Sequence, residues 1–219
     1  MDADLKPRKP QARTIATRNK ILEAARELAR GRDLEILTAE AVAKAAGVAK
    51  GTVFAHYGDM DGLMSYLLLD RLTALRAAAD QDTMRAKADL ADPVGALLAR
   101  MMALIGVITD SQTILRVFMD NIGVTKGHCA PEFVAQLDAL DAKLAGFLRF
   151  WQESPEMQPR LRRDRSPEEM LDALIAFILH GAILYRSGQL MDLALIEQRL
   201  RRHMDAFLLA GDEGQDSFM

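Results

Sequence analysis

The stretch TAEAVAKAAGVAKGTVFAHYGDMDGL, from Thr38 to Leu63, decides the fold of this chain. Two short helices joined by a tight turn need a small residue at their crossing, a turn residue that accepts positive φ, and an apolar residue facing back into the bend. Ala43, Gly47 and Val53 supply these three at the spacing typical of a helix-turn-helix. An ordinary helical hairpin with a glycine turn fits the turn alone equally well.

The second helix of this pair would carry small and basic side chains on its outer face. Such a face lets the backbone of the helix approach the major groove of DNA closely. The side chains are those of Ala49, Lys50, Gly51, Thr52 and Ala55.

The wider sequence resembles the DNA-binding domain of the tetracycline-repressor (TetR) family of transcriptional regulators. That family shows the pattern A-x-x-A-G-V-S-K-G-T-(L/V)-Y-x-(H/Y)-F-x-(S/D)-K-(E/D)-x-L. The helix ILEAARELARG, from Ile21 to Gly31, is similar to the family's first helix, and the resemblance covers about residues 12–72. The positions aligned with the pattern are Ala43, Ala46, Gly47, Val48, Ala49, Lys50, Gly51, Thr52, Val53, Phe54, His56, Tyr57, Asp59, Asp61 and Leu63.

Three positions depart from the family pattern. Ala49 stands where serine is common, Phe54 where tyrosine is common, and Met60 where the family usually has a lysine. That lysine typically touches a phosphate, so the resemblance implies that this contact is missing here. Two alternatives follow: DNA binding is weaker, or Arg8, Lys9 and Arg13 near the N-terminus compensate for the missing contact.

The resemblance implies a DNA-contacting set centred on the second helix of the pair. Lys50, Gly51 and Thr52 would lie along the groove, and Thr38 would place its hydroxyl and its helix N-terminus against a phosphate. Thr38 acting only as a helix cap and Tyr57 acting only in packing remain open alternatives. The whole predicted set is Arg13, Thr38, Ala49, Lys50, Gly51, Thr52, His56 and Tyr57.

The charge of the chain is distributed unevenly. Residues 1–58 carry 11 Lys and Arg against 7 Asp and Glu, whereas residues 59–219 carry 17 against 24. A basic N-terminal segment followed by an acidic remainder favours a polyanionic partner for the N-terminal segment. The N-terminus has no apolar stretch typical of a secretory signal, and Cys129 is the only cysteine, so we expect a cytoplasmic protein with no membrane partner.

Helical periodicity extends through the rest of the chain, and no segment alternates in the manner of a strand. We therefore expect an all-α fold. The predicted domains are a flexible basic arm (1–12), a three-helix helix-turn-helix domain (13–58), a helical effector-binding and dimerisation domain (59–210) and a frayed tail (211–219). The predicted helices span residues 13–30, 38–47, 49–56, 59–79, 92–109, 112–122, 131–153, 167–187 and 192–210.

The TetR resemblance implies a homodimer and a small-molecule effector. The two apolar helices at 167–187 and 192–210 are the predicted dimer interface, with Gly181 and Ala182 at the closest approach. A methionine-rich and aromatic wall in the middle helices predicts an apolar or amphipathic ligand, although each residue taken individually is better explained as plain core. The candidate wall comprises Met101, Met102, Ile105, Phe118, Met119, Phe147, Trp151 and His180.

Other functional classes find less support in the sequence. No nucleophile elbow, phosphate-binding glycine loop or zinc-protease motif occurs, so we expect neither catalysis nor a cofactor. His128 and Cys129 have no partner pair at ligand spacing, and the segment from Asp59 to Gly62 lacks a third ligand position for calcium, so no metal is expected. A helical protein that has lost DNA binding remains an alternative because of Met60. The sequence favours a ligand-responsive regulator of a palindromic DNA operator, with repression as the default of the family.

Overall fold

A computed structural model describes residues 9–30, 34, 37–81, 91–120 and 129–210. Within these residues the chain is all-helical, apart from an isolated antiparallel bridge between Leu161 and Leu209. The helices are α1 (Lys9–Ala29), α2 (Ala39–Ala46), α3 (Lys50–Tyr57), α4 (Met60–Gln81), α5 (Pro93–Ile108), α6 (Gln112–Asp120), α7 (Pro131–Glu153), α8 (Pro167–Arg186) and α9 (Leu193–Leu208).

Local signals in the sequence account for most of these boundaries. The hydroxyl of Thr38 accepts a hydrogen bond from the amide of Ala41 and caps α2. Ser166 and Glu169 form a complete capping box at the start of α8. The predicted all-α fold is confirmed, with helix ends that differ by a few residues.

The first helix differs most from the prediction. It begins at Lys9, so residues 9–12, which were predicted to belong to a flexible arm, are helical. The earlier part of that arm, Gly31 and the predicted frayed tail lie outside the described residues.

The chain divides into two compact units. The first contains the residues up to Asp70 together with Asp110–Val134, and the second contains Arg71–Thr109 and the residues from Ala135 onward. The break at Asp70 therefore falls within α4, twelve residues beyond the predicted boundary at residue 58. The predicted division into functional domains remains a prediction.

The core of the first unit joins α1, α2 and α3 with the beginning of α4. Ser65, a polar residue with no exposed surface, satisfies its hydroxyl by donating to the carbonyl of Gly62 and accepting from the amide of Ala130, both at 2.7 Å. The apolar residues of this core include Ile21, Ala25, Val42, Ala43, Val53, Leu63 and Leu68, all at most 4% exposed.

In the second unit, α5, α8 and α9 pack against one another. Gly181 of α8 lies so close to α9 that a Cβ there would stand 3.1 Å from Cγ2 of Ile196. Ala182 is fully buried. These two small residues therefore pack inside the protomer, which corrects the expectation that they form the closest approach between two subunits.

The length and composition of the helices bear on whether any of them could span a membrane. No single helix in the described part of the chain is long and apolar enough to cross a bilayer, although α5 and α6 taken together as a bent pair meet the length and composition.

Candidate nucleic-acid interface

The turn between α2 and α3 depends on a left-handed glycine. Gly47 has φ 59° and ψ 42°, and its amide donates to carbonyls in the last turn of α2. The amide of Val48 donates to the carbonyl of Ala43 at 3.0 Å, which closes the turn. A side chain at position 47 would strain the backbone, so Gly47 fixes the angle between the two helices.

Helix α3 divides into an inner and an outer face. Val53 and Tyr57 are buried, at 0% and 2% exposure, while Lys50 and Gly51 are exposed. A Cβ added to Gly51 would meet nothing within 4 Å. The outer face of α3 is therefore accessible to solvent at Lys50 and Gly51.

Several other predicted contact residues also lie on accessible surface. Ala49 and Thr38 are exposed, Thr52 and His56 are partly exposed, and Arg13 is exposed on α1. Ala49 occupies the N-cap position of α3 and makes no side-chain capping bond there.

Lys50 is engaged with a carboxylate of the preceding helix. Its Nζ donates to Oε1 of Glu40, and it also lies 5.9 Å from the centre of the Phe54 ring. The Lys50 side chain is 51% exposed and that of Glu40 is 64% exposed. The hydrogen bond from Lys50 lowers the pKa of Glu40, so the Glu40 carboxyl is ionised at neutral pH.

Tyr57 points into the domain rather than toward solvent. Its hydroxyl donates to the backbone carbonyl of Arg18 at 2.8 Å, and burial raises the pKa of the phenol. The Arg18 guanidinium lies over the rings of Tyr57 and Tyr66, at 5.4 and 4.8 Å from their centres. Of the two roles left open by the sequence, the packing role is the one this geometry supports.

The start of α4 is fixed by two carboxylates. Asp59 Oδ1 accepts from the amide of Gly62 at 2.7 Å and caps the helix. Asp61 forms a bidentate ion pair with Arg116 of α6, in which Nη2 of Arg116 lies 2.7 Å from Oδ1 of Asp61. The acidic segment that superficially resembles a calcium loop is thus occupied with helix capping and an ion pair.

The predicted ligand wall is distributed over both units. Met101, Ile105, Phe147 and Trp151 are buried in the second unit, and the Trp151 indole donates to the carbonyl of Pro159 at 2.9 Å. Met102 is partly buried and His180 is exposed in the same unit. The remaining two predicted residues, Phe118 and Met119, belong to the first unit, where Phe118 is buried and Met119 is 45% exposed.

A surface groove of about 370 Å³ runs along α9 in the second unit. Its lining combines apolar and basic side chains, namely Leu190, Leu195, Gln198, Arg199, Arg202 and His203. None of these residues belongs to the predicted ligand wall.

Two features of the interface escaped the sequence analysis. Glu40 was not singled out, although it precedes Lys50 by ten residues across a turn, a spacing that brings the two side chains together only once the helix pair has formed. In the sequence, Arg18 is only one of the 11 Lys and Arg residues within residues 1–58. Its contacts with Tyr57 and Tyr66 join residues 39 or more positions apart, which no local pattern reports.

Comparison with known proteins gives a family match for the helix-turn-helix segment. The family model described as bacterial regulatory proteins, tetR family, matches residues 21–67, which contain the helix-turn-helix. No curated protein sequence is significantly similar to the chain.

Solved structures share the fold over nearly the whole chain. FadR of Thermus thermophilus, a TetR-family transcriptional repressor in complex with lauroyl-CoA, has a TM-score of 0.59 and 24% identity over 90% of this chain and 97% of its own. NalD of Pseudomonas aeruginosa, the secondary repressor of the MexAB-OprM multidrug efflux pump, has a TM-score of 0.53 and 23% identity, covering 90% and 98%. RolR in complex with resorcinol has a TM-score of 0.60 and 14% identity, covering 88% and 89%. Residues 21–67 therefore match the DNA-binding domain of the tetR family, and the chain as a whole shares the all-helical fold of these neighbours.

Proposed function

We propose that this protein is a transcriptional repressor that binds a palindromic operator as a homodimer and is released by an apolar or amphipathic small molecule. The observation that carries the DNA-binding part is the open outer face of α3, where Gly51 has free space and Lys50 and Thr52 are accessible. The proposed contacts are those of Thr38, Ala49, Lys50, Gly51, Thr52 and His56, with Arg13 as a phosphate contact and Tyr57 assigned to packing.

Two copies of a helix-turn-helix on one duplex require half-sites whose centres are about 34–36 Å apart, or a multiple of that distance. Replacing Lys50 or Thr52 with alanine should weaken operator binding and leave the fold intact, because both side chains point outward. Fragments of the source genome retained by the protein would supply the operator, and a gel-shift assay would compare the variants. Parent-like binding by both variants would refute the assignment of α3 as the recognition helix.

The dimer proposal rests on exposed apolar side chains of α8 and α9. Ile183 is 42% exposed and Leu195 is 50% exposed, in positions where contact with a second copy would remove them from water. The first turns of α8 are acidic, with Glu169 and Asp172 exposed, whereas the groove along α9 is basic. This charge difference allows α8 of one copy to face α9 of the other.

Analytical ultracentrifugation tests the dimer. The parent should sediment as a dimer at micromolar concentration, and Ile183→Glu should shift it toward monomer, because a charge placed in an apolar interface loses hydration without gaining a partner. Met191→Glu is a control, since Met191 is 82% exposed at the end of the helix pair. A monomeric parent would refute the dimer proposal.

The effector proposal rests on the apolar, methionine-rich wall of the second unit and on the ligands of two structural neighbours. Lauroyl-CoA is amphipathic and resorcinol is a small aromatic molecule. Apart from Arg100, whose guanidinium lies 5.9 Å from the centre of the Phe147 ring, this wall is poor in charge and would bind an unpaired ionic group badly. The ligand must favour one of two conformations to change DNA affinity, and a coupling of about 1–3 kcal/mol would change it roughly 5- to 150-fold.

Trp151 provides a direct reporter for this proposal, because it is the only tryptophan in the chain. A thermal-shift screen of chemically diverse compounds would find ligands, and the fluorescence of Trp151 would show which of them bind near the proposed wall. Each hit is then added to the protein–operator complex. If every hit were strongly polar, the proposed apolar character of the binding site would be refuted. If apolar hits bound but left operator affinity unchanged, the proposed coupling between ligand binding and DNA binding would be refuted.

A further inference from the structure

The ion pair between Glu40 and Lys50 places a negative charge on the surface proposed to face DNA. Both side chains are more than half exposed, and they belong to different helices of the helix-turn-helix. Every phosphate near this position would be repelled by the Glu40 carboxylate. An acidic group here needs an explanation, because it lowers the affinity for any polyanion.

The hydrogen-bonding capacity of Lys50 provides an explanation for the acidic group. An ammonium group has three donors, and the bond to Glu40 uses one of them. Two donors remain, which is the number needed for the O6 and N7 acceptors of a guanine in the major groove. A guanine edge is neutral, so it can share Lys50 with Glu40. A phosphate is an anion and would place two negative groups around one ammonium.

We infer that Glu40 is a specificity-determining residue, an inference that rests on the proposed DNA-binding function. By pairing with Lys50, Glu40 favours contact of the ammonium with a neutral base edge, above all that of guanine, over contact with a phosphate. The pair spans the turn that Gly47 fixes, so the direction of the Lys50 side chain is set before DNA arrives. The contact with the Phe54 ring restricts the side chain from the other side.

Replacing Glu40 with glutamine removes the charge and keeps the shape. Lys50 is then free to contact phosphates, so binding to mixed-sequence duplex should become about 3- to 10-fold tighter per protomer at 0.1 M salt. The slope of log affinity against log salt should steepen by about 0.9 per protomer, the value for one added phosphate contact. Affinity for the selected operator should change less, so the ratio of specific to non-specific binding falls.

The test is fluorescence anisotropy with two labelled 40-base-pair duplexes, one of mixed sequence and one selected by the parent protein from a random library. Glu27→Gln is the matched control, because Glu27 is an exposed partner of Arg30 in α1 and its replacement changes the net charge equally. Lys50→Met is added to the parent and to the Glu40→Gln variant. It should cost more mixed-sequence affinity in the variant than in the parent.

The outcomes separate this inference from the proposed function. A parent that binds neither duplex would refute DNA binding itself, and the role of Glu40 with it. A parent that prefers its selected duplex, combined with a Glu40→Gln variant whose mixed-sequence affinity and salt slope equal those of the parent, would refute only the role of Glu40. A similar gain from Glu27→Gln would also overturn it, because net charge would then explain the result.

Discussion

Adding one methyl group at Gly51 separates the stability of α3 from its function. A Cβ at this position meets nothing within 4 Å in the free protein, and the residue is the second of the eight residues of α3. Glycine within a helix is less stable than alanine by roughly 0.5–1 kcal/mol. Gly51→Ala should therefore raise the free energy of unfolding by about that amount and the melting temperature by about 2–4 °C per kcal/mol.

The same methyl group lies where the α3 backbone is proposed to approach the DNA groove. It would push the helix away and lengthen the hydrogen bonds of its neighbours, each good base contact being worth about 1–3 kcal/mol. Loss of one such contact predicts an operator affinity roughly 5- to 150-fold weaker. The variant should therefore be more stable and bind less tightly, a combination that damage to the fold does not produce.

Gly106→Ala is the matched control, because Gly106 lies in α5 and its added Cβ also meets nothing within 4 Å. Thermal unfolding followed by circular dichroism gives the stabilities, and anisotropy titration with the selected operator gives the affinities. Both variants should be stabilised, and only Gly51→Ala should lose affinity. Parent-like operator binding by Gly51→Ala would refute the proposed close approach of α3.

Three further variants test single contacts. Ala49→Ser supplies the missing side-chain cap of α3 and should stabilise the protein by about 0.5–2 kcal/mol in thermal unfolding. Tyr57→Phe removes one of the two hydrogen bonds accepted by the carbonyl of Arg18, which keeps its helical bond within α1, and should destabilise by about 0.5–1.5 kcal/mol. Operator affinity should be unchanged well below the melting temperature, and weaker binding there would instead support a phosphate contact by the Tyr57 hydroxyl. Burial, together with two nearby aspartates, raises the pKa of Asp141, so the stability that its protonated form contributes is lost as pH rises through that pKa. Asp141→Asn should therefore be more stable than the parent at pH 7, and equal melting temperatures would contradict this.

The boundaries of the helices could be predicted from the sequence because local signals determine them. Thr38, Ser166 and Pro167 mark helix starts through capping bonds and a restricted φ, and each lies where the pattern places it. Gly47 could be assigned to the turn for the same reason. These residues act on neighbours only a few positions away, which a linear pattern contains.

Contacts between distant segments could not be predicted in this way. The periodicity of α8 shows that Gly181 and Ala182 permit close packing, but it does not say whether the partner is α9 of the same chain or a helix of a second copy. The structure places Ile196 of α9 against Gly181. Likewise, the apolar pattern of α6 gives no sign that this helix belongs to the first compact unit, where Arg116 pairs with Asp61.

The candidate DNA surface shows the same division between local and distant determinants. The resemblance identifies Lys50 by its place in the motif, but the behaviour of its ammonium depends on what lies beside it after folding. The motif does not report Glu40, because Glu40 belongs to another helix. In the folded chain Glu40 pairs with Lys50, so in the proposed complex Lys50 would face DNA as one side of an ion pair rather than as a free cation. A regulator must distinguish its operator from a large excess of other sequences, so weakening the contacts made with every phosphate improves specificity even when it lowers affinity. An acidic residue on a DNA-binding surface is therefore consistent with the function of that surface.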